Sequence, residues 1–111
     1  MQTYLVQGRY TSEAIANLVA KPEDRSKAVD KMCDALGGKL VAFYMSFGEH
    51  DFAAIVELPS DEVAAGLAMG TASRGHISGM KTTRLFTPSE VAKALKHAHD
   101  ARDHIAPPKG K

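Results

Sequence analysis

The twenty residues Lys39–Leu58 constrain this chain more than any other stretch. They read KLVAFYMSFGEHDFAAIVEL. Two apolar runs, Leu40–Phe47 and Phe52–Leu58, flank a polar hinge, Gly48-Glu49-His50-Asp51. Runs rich in Val, Ile, Phe and Tyr, split by a short loop with glycine, predict a β-hairpin. Both runs are apolar at almost every position. A strand apolar on both faces needs cover on both faces. Helices are expected on one side of the sheet and a second subunit on the other.

The rest of the composition narrows the class. A chain of 111 residues is expected to form one domain, residues 1–105, with a flexible tail at 106–111. The net charge of +1, with both signs interspersed, argues against a nucleic-acid module, which needs a basic patch. The single cysteine, Cys33, rules out an internal disulfide. The N-terminal MQTYLVQGRYT lacks the basic and apolar regions of a signal peptide, and no apolar stretch is long enough to span a bilayer. The expectation is a soluble cytoplasmic protein with no membrane partner.

Element signals recur along the chain. Thr3–Tyr10 reads as a strand. Thr11 or Ser12 caps a helix with Ile15, Leu18 and Val19 inward, which Pro22 interrupts. A second segment, Glu23 to Leu36, carries Ala28, Val29, Met32, Cys33 and Leu36 on one stripe. Gly37 suits the left-handed position that ends it. After the hairpin, Ser60 or Asp61 caps a helix burying Val63, Ala64, Leu67 and Ala68, which fades near Gly70–Gly75. His76–Phe86 is the fourth strand. Thr87-Pro88-Ser89-Glu90 is a capping box opening a last helix, with Val91, Ala94, Leu95 and Ala98 inward. This order predicts an α+β, ferredoxin-like βαββαβ fold. It has a four-stranded antiparallel sheet, helices on one face and an extra C-terminal helix. On the second strand, Val41, Phe43, Met45 and Phe47 share one face, and Leu40, Ala42 and Tyr44 the other. The uncovered sheet face predicts a homodimer or higher homo-oligomer.

Several segments together resemble the GYD-domain family. They are Gly37-Gly38-Lys39-Leu40, Ala42-Phe43-Tyr44, Phe47-Gly48-Glu49-His50-Asp51 and Ala54-Ile55-Val56-Glu57. Tyr4, Gly8-Arg9-Tyr10-Thr11 and Leu85-Phe86-Thr87-Pro88-Ser89-Glu90 extend the likeness over about Thr3 to Val91. Gly48 and Asp51 match the naming motif, and His50 stands where tyrosine is typical. The resemblance implies a dimeric α/β barrel and no particular activity.

Candidate chemistry is sparse. In the hinge, His50 is a candidate base with Asp51 as its orienter, against the plainer reading of an ordinary turn. His76 and Arg84 share a parity on the fourth strand, with Ser78, Met80 and Thr82 between them. That face would line a cleft with Tyr44 or His50, and Arg84 would clamp an anion. Arg74-Gly75-His76, after the small residues Gly70–Ser73, is a possible anion-cradling loop, although a plain connection is the simpler reading. His97, His99 and His104 carry metal-binding side chains on a helix that otherwise reads as solvated, so no metal site is assigned. Cys33 reads as a buried, inert thiol. No cofactor motif occurs, and no cofactor is expected. The leading reading is an oligomeric small-molecule-binding protein with a cleft between sheet and helices. The alternatives are a small barrel enzyme of the cofactor-free oxygenase or isomerase type, using Tyr44, His50, Asp51, His76 and Arg84, and an assembly or regulatory module without a pocket.

Overall fold

The computed structural model of the chain describes residues 1–110. Lys111, the last residue of the expected tail, lies outside the described residues. The elements run β1 (Gln2–Tyr10), α1 (Ser12–Ala20), α2 (Ser26–Ala35), β2 (Lys39–Met45), β3 (Phe52–Leu58), α3 (Asp61–Ser73), β4 (Ile77–Leu85) and α4 (Pro88–Ala101). A turn of 3-10 helix, Arg102–His104, follows. The strands form one antiparallel sheet in the order β2-β3-β1-β4. This is the expected ferredoxin-like arrangement.

Strand β3 organises the core. Phe52, Ala54, Val56 and Leu58 are buried, and Ala53, Ile55 and Glu57 between them are half-buried. The buried set meets Tyr4 and Val6 of β1, Cys33 of α2, and Ala64 and Leu67 of α3. Removing each large apolar side chain from water contributes about 1.5–3 kcal/mol. Helices α2 and α3 cover this face, so the other face of the sheet is open.

The local signals form as the residues dictate. Thr11 accepts from the Ala14 amide, Ser60 accepts from the Val63 amide, and the Thr87–Glu90 capping box is complete in both directions. Gly37 takes φ +74°. Its amide donates to the Asp34 carbonyl, and the Gly38 amide donates to the Cys33 carbonyl at 2.8 Å. These are the paired bonds of a Schellman helix end.

Two bulges change which side chains share a face. Between Leu40 and Ala42 the pairing of β2 with β3 slips by one residue at Val41. Leu40 therefore joins Phe43 on the helix side, both packed against the core, and Ala42 and Tyr44 remain on the open side. On β4, Gln7 faces Lys81 but Arg9 faces Ser78, so three steps on β4 answer two on β1. The extra residue sits at Gly79, whose φ of +59° is the left-handed geometry that a glycine bulge uses. The expected common parity from His76 through Ser78 to Arg84 is broken there. Met80 packs against the core, and Ser78 lies opposite Arg9 on the open side.

Other expectations fail for packing reasons. Pro22 does separate two helices, as expected, but the first packs differently. Helix α1 buries Ala14 instead of the predicted stripe, and Ile15 and Val19 are 40% and 74% exposed. Helix α3 ends at Ser73, within the expected Gly70–Gly75, and so takes in the small residues Gly70–Ser73 that were read as a loop, because its cap and apolar face outweigh the helix cost of two glycines. The hinge is longer than predicted, since β2 ends at Met45 and Phe47 is 97% exposed. Helix α4 buries nothing. Val91 and Leu95, expected inward, are 41% and 63% exposed.

Candidate ligand-binding cleft

Helices α2 and α3 lie apart on the sheet and leave a cleft of about 470 Å³ between them. That volume falls in the range of small-molecule sites. Its floor is aromatic. Phe43 stacks on Phe52 at 6.0 Å, and Tyr10 tilts against the same ring at 5.5 Å. Val29 and Met32 of α2 form one wall. Gly66, Leu67, Gly70 and Thr71 of α3 form the other. The Thr71 hydroxyl reaches the Met32 sulfur at 3.8 Å and ties the walls together. A Cβ added at Gly66 or Gly70 would meet nothing within 4 Å, so these two glycines leave the cleft its width.

The charged groups along the cleft carry one sign. Arg25 and Arg74 line it, with the His76 imidazole beside them, and among the described residues no Asp or Glu does. Arg25 is held by Glu23 at 2.7 Å. Arg74 has no ion pair or side-chain hydrogen bond among the described residues. Burial pushes the Tyr10 phenol up, and the neighbouring Arg25 pulls against that shift. Tyr10 is therefore a neutral donor at the cleft wall at neutral pH. Cys33, on the sheet-facing side of α2, is fully buried, with its thiol pushed up by burial and then by Asp30 and Asp34, as an inert thiol should be.

Of the candidate residues Tyr44, His50, Asp51, His76 and Arg84, only His76 lines this cleft, joined there by Arg74 of the possible anion-cradling loop. The hinge is a structural joint. The Asp51 carboxylate accepts from the Tyr10 amide at 2.8 Å, its own amide donates to Gly8, and its carbonyl accepts from the Ser46 amide. That carboxylate is engaged with strand β1 and does not orient the His50 ring. His50 contributes its carbonyl, which accepts from the Ser46 hydroxyl at 2.7 Å. Arg9 closes the joint by donating to the Glu49 carbonyl at 2.8 Å. Tyr44 lies on the open sheet face, 69% exposed. Among the described residues no three His, Cys, Asp or Glu side chains come together to hold a metal ion, and this includes the C-terminal histidines. No described helix is long and apolar enough to cross a membrane.

Arg84 sits at the far end of the sheet. It lies opposite Tyr4, whereas Ile77, next to His76, lies opposite Tyr10. Six residue steps along β1 separate Tyr4 from Tyr10, a span of roughly 20 Å. There Arg84 pairs with Glu90 at 3.3 Å and Asp61 at 3.9 Å, and covers the Phe86 ring at 4.5 Å. It is an internal clamp, fully engaged. Tyr4, with its ring buried, donates its hydroxyl to Asp61.

Tyr4 carries a pH signature. Its phenol is pushed up to about 12, first by burial and then by the Asp61 hydrogen bond. The folded chain thus favours the neutral phenol. An unfolded tyrosine ionises near 10, so this stabilisation is intact below pH 10 and is lost as pH rises through 12. The gap between 10 and about 12 is worth about 2.7 kcal/mol in full. Because the hydroxyl lies at the rim beside the exposed Asp61, solvent screening leaves roughly half of that. Urea unfolding at pH 9 and pH 11.5 checks this. The wild type is expected to lose about 1 kcal/mol more than Tyr4→Phe over that interval, and equal losses would remove Tyr4 from the account.

A GYD-domain family model matches residues 4–95. The chain belongs to the GYD-domain family. The match runs from β1 into α4 and takes in every strand and the whole cleft. This GYD-domain chain is also similar to two crystal structures. TTHA0845 from Thermus thermophilus is 20% identical, with a TM-score of 0.49, over 78% of this chain and 95% of that one. FFRP-DM1 is 16% identical, with a TM-score of 0.47, over 78% of this chain and 100% of that one. No curated protein matches significantly.

Sequence reasoning missed Arg25, Gly66 and Met32 as cleft residues. Arg74 was visible beside His76, but as part of a loop. The helix continuing to Ser73 is what brings Arg74 to the cleft. The available signal was the i, i+4 pair of glycines, Gly66 and Gly70, inside an otherwise apolar helix. Such glycines call for a packing or functional reason.

Proposed function

We propose that this GYD-domain protein binds a small apolar anion, with an aromatic or branched body, as a homo-oligomer. The observation that carries the reading is the cleft: an aromatic floor and apolar walls, with cations at the lining and no acid among the described residues. The ligand's ring would stack on Phe43 and Phe52, where offset aromatic pairs add about 0.5–1.5 kcal/mol beyond area burial. Its carboxylate or sulfonate would meet Arg74, whose planar fork suits such groups. Arg25, already held by Glu23, would contribute less. The uncovered sheet face supports the oligomeric part of the reading. Leu5 and Ile55 are direct neighbours on its two central strands, and both are half-buried in a single chain.

A matched pair of dyes tests the ligand class. Anilinonaphthalene sulfonate and N-phenylnaphthylamine share the same rings and differ by the anionic group. The sulfonate is expected to bind about tenfold more tightly, a difference of about 1.4 kcal/mol. Arg74→Ala should erase that advantage and leave the neutral dye unaffected. Equal affinity for both dyes in the wild type would refute the anion preference. Failure of both to bind the folded protein would remove the cleft as a site.

A further inference from the structure

We infer that the cleft continues past Tyr10, Arg25 and His76 into a second, polar chamber, and that the ligand is a diacid whose second acid sits there beside Lys21. This rests on the ligand reading above and deepens it by naming the class of ligand.

The chamber is a consequence of Pro22. Helix α1 ends at Ala20 and α2 begins at Ser26, and the proline between them has no amide with which to carry a helix onward. The linker leaves a space of about 460 Å³ between itself, α1 and the end of β1, nearly the size of the cleft. Ala14, Leu18 and Pro22 supply its apolar lining, and Asn17, Lys21 and Glu23 its polar lining.

Three residues belong to both spaces. Tyr10, Arg25 and His76 line the cleft and the chamber alike, so the two adjoin along them. Two of the three are fixed through their backbone. The Tyr10 amide donates to the Asp51 carboxylate at 2.8 Å, and its ring packs on Phe52 at 5.5 Å. The His76 carbonyl accepts from the Thr11 amide at 3.0 Å. Arg25 reaches the partition on a long, flexible side chain and is the member that can move aside.

Charge says which group the chamber takes. The linker carries two acids, and both are engaged. Asp24 accepts from the Ser26 amide at 2.9 Å and from its hydroxyl at 2.6 Å, and it does not line the chamber. Glu23 is paired with Arg25 at 2.7 Å, so that pair adds no net charge. Lys21 has no ion pair among the described residues and is the unbalanced charge of the chamber. Arg74 stands in the same condition at the cleft. One unpaired cation in each space, with a neutral phenol and a closed ion pair between them, fits two acids joined by a short arm. A ligand with one acid meets one cation and leaves the other to solvent. The Asn17 amide, beside Lys21 in the lining, offers the second acid a further donor.

Dansyl-glutamate and dansyl-glutamine, titrated into the full chain by fluorescence, test the chamber. Both carry a naphthalene ring and one carboxylate, and they differ only in the charge of the second terminal group. The glutamate derivative is expected to bind about fivefold more tightly, the upper end of what an exposed ion pair supplies. Lys21→Gln should bring that ratio to about one. Lys21 is exposed, and an unchanged circular dichroism spectrum shows that the variant is folded. The amide NMR signals of Asn17, Leu18 and Lys21 should shift more with the glutamate derivative than with the glutamine derivative. Equal affinities in the wild type, a ratio that survives Lys21→Gln, or shifts confined to cleft residues each overturn the chamber and leave the cleft reading standing. Failure of both derivatives to bind overturns the diacid. If anilinonaphthalene sulfonate also fails, the cleft reading falls with it.

Discussion

Replacing Gly66 by leucine is expected to move stability and binding in opposite directions. Gly66 lies inside α3, where glycine costs about 0.8–1 kcal/mol relative to the best helix formers. A Cβ there meets no atom within 4 Å, so the larger side chain enters open space, and that space is the cleft. The folded chain should gain about 0.7 kcal/mol, read as a higher urea midpoint. The same leucine would occupy the volume over Phe43 and Phe52 that a ligand's ring needs. Affinity for anilinonaphthalene sulfonate should fall about 100-fold, or about 2.7 kcal/mol. The rise in stability separates this result from misfolding. Unchanged affinity in a stabilised Gly66→Leu would mean that the dye binds elsewhere, with the open sheet face the first alternative.

Gly38→Ala is expected to cost about 3 kcal/mol, at the upper end of overpacking effects. The neighbouring glycines Gly37 and Gly38 are needed for different reasons. At Gly37 an added Cβ meets only a Pro59 ring carbon at 3.7 Å, so the penalty comes from φ +74° and amounts to about 1 kcal/mol. At Gly38 the Cβ would lie against the Glu57 carbonyl oxygen, with the Leu58 side chain at 2.6 Å. Backbone cannot yield as a rotamer can. Strand β3 must therefore move away from the α2–β2 turn, taking with it Leu58, a fully buried core residue. Out of a typical total of 5–15 kcal/mol, that loss should lower the urea midpoint markedly. A smaller loss for Gly38→Ala than for Gly37→Ala would contradict this account.

Much of the fold was legible because it is written in local chemistry. The hairpin runs, the Thr11, Ser60 and Thr87 caps and the left-handed Gly37 each depend on residues close in sequence, and each formed as read except that β2 stops two residues early, at Met45. The element order then left the ferredoxin-like sheet as its simplest connection. The candidate site was far less legible. His76 reached the cleft, but Arg84 went to the opposite end of the sheet and Asp51 into the hinge's own hydrogen bonds.

By itself, the sequence determined the periodicities, the caps and the stops. Hydrogen bonds and side-chain spacing over a few residues decide those, and they are the same in a fragment as in the whole. Only the tertiary structure decided which faces those patterns serve. The bulges at Val41 and Gly79 reverse the alternation of β2 and β4, and a one-residue slip sends every later side chain to the other face. The width between α2 and α3 sets the cleft, and it depends on glycines whose importance lies in what stands across from them. The apolar stripe of α4 was plain in the sequence, but that none of its residues is buried among the described residues was not. A stripe states that a face must be buried; the path of the chain in space determines whether that burial happens within one copy or between two.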